Sequence, residues 1–159
     1  MLRDPGLVPL SHQHQRALAL CVFLRRAPES GPPDLAHWSQ EIARAFEQEL
    51  HAHFEAEESI LFPAARSVAA LLPLVEELLA EHARLRDYAQ RAAANRLQAD
   101  DLAALAALLD RHIRKEERRL FEQMQQLLPA ETLEAMGQAL QRFFRERGVA
   151  PSCRLPSSG

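Results

Sequence analysis

Apolar residues recur at three- and four-residue intervals through most of the chain, and proline, glycine and small polar clusters cut the runs into segments. Between the cuts Ala, Leu, Glu, Arg and Gln dominate, all good helix formers, and the two-residue alternation of a strand is missing. The breaks are APESGPPD at 27–34, the interval between Pro63 and Pro73, NRLQADD at 95–101, and Pro129. They predict helices over 10–27, 34–62, 73–94, 100–128 and 130–147, with Asp34 capping the second and Asp100 or Asp101 the fourth. Short connections make sequential helices antiparallel. The expected fold is all-α: an up-down-up-down antiparallel four-helix bundle with an additional C-terminal helix. That helix would pack outside the bundle or across one end through Leu133, Met136, Leu140 and Phe143. Residues 1–148 read as a single domain with its core over about 8–128, and 149–159 as a flexible tail.

The 159 residues, 47% of them apolar, suffice for one buried core and argue against disorder. A net charge of −3 speaks against a nucleic-acid or membrane partner held by charge. The N-terminus has no apolar run of signal-peptide type and no stretch reaches membrane-spanning length, so a cytoplasmic location is expected. Cys21 and Cys153 form neither a CxxC pair nor a disulfide framework. Cys21 lies on a core stripe and reads as a small buried hydrophobe. No Ser-His-Asp, P-loop or HExxH arrangement stands out. No segment identifies a protein partner.

Seven histidines against one tyrosine and one tryptophan change the picture once their positions are traced. The apolar seam of the first helix runs Leu10, His14, Ala17, Cys21, Leu24. The second runs Phe46, Leu50, His53, Glu57, Ile60, Ala64. The third runs Val75, Leu78, His82, Leu85, Ala89. The fourth runs Leu102, Leu105, Leu109, His112, Glu116, Leu120, Met124, Leu127. Each bundle helix therefore puts a histidine where its pattern calls for an apolar residue. The second and fourth add a glutamate one turn later, within segments that repeat: HFEAEESILF at 53–62 and HIRKEERRLF at 112–121. His12, the rival to His14, falls off the stripe, as do His37 and His51.

A core holding four imidazoles and two carboxylates needs compensation, because an unpaired ionised group in an apolar interior costs several kcal/mol. Two surface ion pairs at i,i+4 would be the bland account of the repeated His-Glu spacing. It fails on the seam positions and the duplication. A pair of metal ions satisfies the set better than mutual hydrogen bonding: imidazole with carboxylate suits iron, and a carboxylate can bridge two ions. His82 and His112 each lie about thirteen residues from the break between their helices, so they share a level. His14 and His53 lie about fourteen and about nineteen residues from theirs, which calls for the second helix to overhang or for its first turns to pack elsewhere. Glu58 and Glu81 read as solvated glutamates, with orientation of a ligand histidine as the rival role. The cluster RHIRKEERR reads as a solvated face.

These residues resemble the hemerythrin-like, or HHE cation-binding, domains. The likeness rests on His14, HFEAEESILFP at 53–63, LAEHARL at 79–85 and HIRKEERRLF at 112–121, and covers roughly residues 8–128. It implies a four-helix bundle around two non-haem iron ions, bridged by carboxylates and by oxo or hydroxo groups. His14, His53, His82 and His112 would be terminal ligands, and Glu57 and Glu116 bridging carboxylates. Two departures matter. Oxygen-carrying hemerythrins have a second histidine one turn after the third-helix ligand, where this chain has Arg86. They also place the fourth-helix carboxylate five residues after its histidine, and here both Glu116 and Glu117 follow. Seam geometry favours Glu116, since Glu117 lies about 140° from His112 around the helix, and Glu117 is the alternate as His12 is to His14. A ferritin-like site would need Glu three residues before each histidine, and those positions are Leu50, Leu79 and Leu109.

The resemblance implies binding or sensing of dioxygen, peroxide, nitric oxide or iron itself, with more coordination positions open than in an oxygen carrier. The enzymatic rival is a diiron peroxidase, catalase-like protein or oxidase. The structural rival is a helical interaction module whose fold depends on metal.

Overall fold

A computed structural model describes residues 2–149; Cys153 and, apart from Val149, the segment expected to be a flexible tail lie outside the described residues. Helix α1 is Val8–Arg26, followed by a 3-10 turn at Ala27–Ser30. Helix α2 spans 35–66 in one run: Leu35–Ala45, His51–Ala56 and Phe62–Arg66 are α-helical, joined by π turns at Phe46–Leu50 and Glu57–Leu61. Helix α3 is Leu72–Ala93. Helix α4 spans 99–127, with a π turn at Glu116–Leu120 between Ala99–Lys115 and Phe121–Leu127. Helix α5 is Ala130–Glu146. Among the described residues there is no strand, and no helix is long and apolar enough to cross a membrane.

The caps follow local chemistry. Asp34 Oδ1 accepts from the backbone N–H of His37 at 3.0 Å, starting α2 as expected. The cap of α4 is Gln98 rather than Asp100 or Asp101. The helix begins one residue earlier than expected, and Asp101 becomes the third helical residue, accepting from the Gln98 backbone N–H at 2.6 Å. The pair forms a reciprocal capping box. Asn95 takes a left-handed φ of 52° after α3, so the Arg96 N–H reaches the Arg91 carbonyl at 2.8 Å and closes the helix.

Pro63 does not end α2, which runs on to Arg66. In the π turn just before it, backbone bonds reach five residues back instead of four. That widening leaves room for a proline ring that would otherwise strike a carbonyl of the preceding turn.

All five expected seam positions of α1 and all five of α3 are buried. In α2 the seam shifts after the glutamate, whereas in α4 Leu120 and Met124 are buried as expected and only the last position departs. Leu61, Phe62 and Ala65 are buried where Ile60 and Ala64 were expected, and Leu128 is buried while Leu127 is half exposed. In α2 the π turn at Glu57–Leu61 inserts the extra residue, and in α4 Leu128 turns inward as the extended residue that ends the helix. Both halves then share one register: positions four, five and eight after the glutamate face inward, as Leu61, Phe62 and Ala65 in α2 and as Leu120, Phe121 and Met124 in α4. In α5, Leu133, Met136 and Leu140 are buried as expected, joined by Phe144, while Phe143 is only partly buried beneath the Arg147 guanidinium.

The apolar interior falls into two clusters. One gathers Leu7, Leu61, Phe62, Val75, Leu120 and Leu140, and the other Leu24, Ile42, Phe46, Leu85, Leu105 and Leu109. The seam histidines and glutamates form the layer between them. The expected overhang of α2 is accommodated by the 3-10 turn after α1, which rises about 2 Å per residue and so adds about 8 Å to the first arm of the hairpin.

Helix α5 packs outside the bundle, against the part of α2 that carries residues 51–61. It also crosses the N-terminal arm, which Gln125 pins by accepting from Arg3 and from the Asp4 N–H and donating to the Leu2 carbonyl. The crossing depends on two glycines: a Cβ on Gly137 would lie 2.5 Å from the Gly6 Cα. Gly137→Ala gains about 1 kcal/mol of helix propensity. The backbone clash should outweigh it, for a net loss of about 1–3 kcal/mol read as a lower melting temperature. An unchanged or raised melting temperature would show that arm and helix separate freely.

Candidate metal centre

The first link is helix geometry. His53 and Glu57 share a face of α2, and His112 and Glu116 share a face of α4, because residues four apart differ by about 40° in direction. His14 on α1 and His82 on α3 complete the layer. All six side chains are buried, with Glu57, His82 and Glu116 fully so.

The histidines meet in two pairs, each from one hairpin. The Nε2 atoms of His14 and His53 are 3.0 Å apart, and those of His82 and His112 are 3.1 Å apart. The two glutamates lie between the pairs. Glu57 Oε1 is 2.9 Å from His53 Nε2 and 3.7 Å from His14 Nε2, while its Oε2 is 3.2 Å from His82 Nε2. Glu116 Oε2 is 3.1 Å from His14 Nε2 and its Oε1 is 3.4 Å from His112 Nε2. Each carboxylate thus gives one oxygen to each pair. The result is two groups of four donors that share both glutamates: His14, His53, Glu57, Glu116 and His82, His112, Glu57, Glu116.

Every imidazole is also held from behind through Nδ1. His14 reaches Glu117 Oε1 at 2.7 Å, His53 reaches Gln13 Oε1 at 2.6 Å, His82 reaches Glu58 Oε1 at 2.8 Å and His112 reaches Glu81 Oε2 at 2.9 Å. These oxygens accept only, so Nδ1 carries the proton and donates. Each Nε2 then presents a lone pair inward, the arrangement of a metal-ligating histidine. The four oxygens of Glu57 and Glu116 have no hydrogen-bond partner. Lone pairs facing lone pairs in an apolar layer call for cations, and an N/O donor set of two imidazoles and two shared carboxylates per position fits a pair of metal ions.

The protein's alternative is protons. Burial lowers the His14 pKa, but Glu116, Glu117 and Glu57 more than offset it and hold it well above the usual value. Burial likewise opposes charge on His82, yet Glu57 and Glu58 raise it to about 9. Glu57, despite its burial, is held well below the carboxylate range by His53, His14 and His82.

Several residues stand where the sequence did not place them. Glu58 and Glu81, expected in solvent, orient His82 and His112. Glu117, the alternate to Glu116, is not in the central layer and instead orients His14 while pairing with Arg3 at 2.8 Å. Lys115, read as part of a solvated face, is 9% exposed and donates to Glu77 and Glu81, each at 2.5 Å. Arg86 pairs with Glu58 at 2.6 Å. Gln13 went unnoticed between two histidines; its only signal was its place next to the seam residue His14. His12 is half-buried and outside the layer, and His37 and His51 are exposed. Cys21 is buried, and burial pushes its thiol up to about 11, which suits an inert packing role.

The signs of these shifts set the pH response of chelator-treated protein. The raised His14 and His82 stabilise the fold fully below about 6.5, and the His82 contribution is lost as pH climbs through about 9. Depressed Glu57, and Glu58 and Glu81 at about 2, stabilise above about 4.5 and lose that contribution as pH falls. Metal-free protein should therefore melt highest between about pH 4.5 and 6.5 and progressively lower toward pH 9. Metal replaces the imidazole protons, so loaded protein should keep its melting temperature through the alkaline range and lose it on the acid side. Parallel profiles with and without chelator would contradict this assignment of the layer.

No curated protein and no solved structure matches the chain. The profile of the Hemerythrin HHE cation binding domain matches residues 7–124, from the residue before α1 to near the end of α4, and takes in all six side chains of the layer. With well over half its length covered, the chain belongs to the hemerythrin HHE cation-binding domain family.

Proposed function

We propose that the protein is a non-haem diiron protein that binds or senses dioxygen, peroxide or nitric oxide. The observation that carries the reading is the division of the Glu57 and Glu116 oxygens between two histidine pairs, with none of the four oxygens otherwise partnered. Iron suits a mixed imidazole and carboxylate set, and an iron pair, when bound, supplies the electrons and open positions that such small ligands use. The chain's own residues do the rest. Glu117, Gln13, Glu58 and Glu81 fix the rings with Nε2 inward. Glu57 and Glu116 provide negative charge at the shared centre. Phe54 stacks on His82 at 4.1 Å, and Phe121 on His14 at 5.7 Å, which holds the rings in place.

Access is narrow. A cavity of about 10 Å³ touches His14, His53 and His112, lined also by Ala17, Leu50 and Leu109. Space on that scale admits about one water-sized molecule, which favours a diatomic gas or peroxide over an organic substrate.

Protein purified from iron-supplemented cells should carry about two irons per chain and absorb in the near ultraviolet, with a spectrum that responds to nitric oxide. Glu57→Gln should lower the retention of both ions, because its oxygens face different pairs, while His37→Ala should leave iron content unchanged. Failure to take up iron under anaerobic conditions would refute the proposal. Sustained peroxide turnover, absent from Glu57→Gln, would move the protein to the enzymatic class.

A further inference from the structure

The layer has an approximate twofold repeat that relates α1 and α2 to α3 and α4. His53 and His112 correspond, as do Glu57 and Glu116. The second glutamate of each motif orients the histidine of a neighbouring helix: Glu58 holds His82 of α3, and Glu117 holds His14 of α1. Each motif's phenylalanine stacks on that same ring, Phe62 on His82 at 5.5 Å and Phe121 on His14 at 5.7 Å. The residue just before each of those histidines turns back to the motif histidine: Glu81 takes the Nδ1 proton side of His112, and Gln13 that of His53.

At this last position the repeat breaks. Glu81 is an anion backed by the buried Lys115, whereas Gln13 is a neutral amide. The residue that corresponds to Lys115, three after the motif histidine, is Ala56, fully buried and apolar. The His82–His112 position is therefore supported by two carboxylates, and the His14–His53 position by one carboxylate and one amide. The small cavity also borders Gln13, and it touches both histidines of the weaker position but only His112 of the other.

We infer that Gln13 makes the two metal positions unequal: the ion between His82 and His112 binds first and is held, while the ion between His14 and His53 binds second and exchanges. A carboxylate behind an imidazole raises its donor strength, and outer partners of this kind typically change metal affinity about 10- to 100-fold. An amide accepts the same proton without supplying the charge. Gln13 is thus a positioning residue that sets affinity without touching metal. The inference rests on the two-metal reading proposed above.

The test is anaerobic titration of the full chain with cobalt(II) as the probe, followed by its visible absorption and by competition with a chelator. Wild type should show two affinity classes separated by about 10- to 100-fold. Gln13→Glu, nearly isosteric, should tighten the weaker class until the two approach one another. The mirror variant Glu81→Gln should weaken the tighter class instead. Two equal classes in wild type, or a weaker class that Gln13→Glu leaves in place, would overturn the role of Gln13 while leaving the two-metal reading intact. A wild-type chain that binds no cobalt would overturn both.

Discussion

Two carboxylates with no hydrogen-bond donor, buried at the middle of a helical bundle, set the terms for everything else in this protein. An uncompensated ionised carboxylate in such a place costs several kcal/mol, enough to consume much of the stability of a single domain. Glu57 and Glu116 are tolerated because four imidazoles surround them. Those imidazoles are tolerated because Glu58, Glu81, Glu117 and Gln13 take their outer protons. Three of these partners are carboxylates, each held by a cation, Arg86 on Glu58, Lys115 on Glu81 and Arg3 on Glu117. Charge alternates outward in shells until it reaches solvent. The two apolar clusters enclose the innermost shell from above and below.

The repeated motif is the unit from which that arrangement is built. Its histidine and first glutamate supply inner donors. Its second glutamate orients a histidine from a neighbouring helix, and its phenylalanine covers that histidine. The π turns that begin at Glu57 and Glu116 add one residue to the turn and bring two consecutive residues of each motif inward, Leu61 with Phe62 and Leu120 with Phe121. Local irregularity of this kind often marks functional sites in helices.

The helices, their order and the six inner residues could be read from the sequence because all depend on spacing within one helix. Histidines at seam positions stand out against an apolar pattern. The backbone departures were not legible. Nothing in EESIL announces a π turn, so Ile60 and Ala64 were expected inside where Leu61 and Ala65 are found, and Leu127 was expected inside where the helix in fact ends and Leu128 turns in. The outer partners were less legible. Glu58 and Glu81 could be read as orienting a ligand histidine but looked more like ordinary surface charges, as Lys115 did, and only the approach of a second helix decides between the two. Gln13 carries no chemical signature at all until His53 is seen beside it.

If the layer is one cage for two ions, anomalous diffraction from crystals of the iron-loaded protein, collected across the iron edge, should show two peaks in each chain. One should lie between His14 and His53 and one between His82 and His112, both in contact with Glu57 and Glu116. A single peak between the glutamates, or a layer with no peak whose imidazoles hydrogen-bond one another, would contradict the two-ion cage.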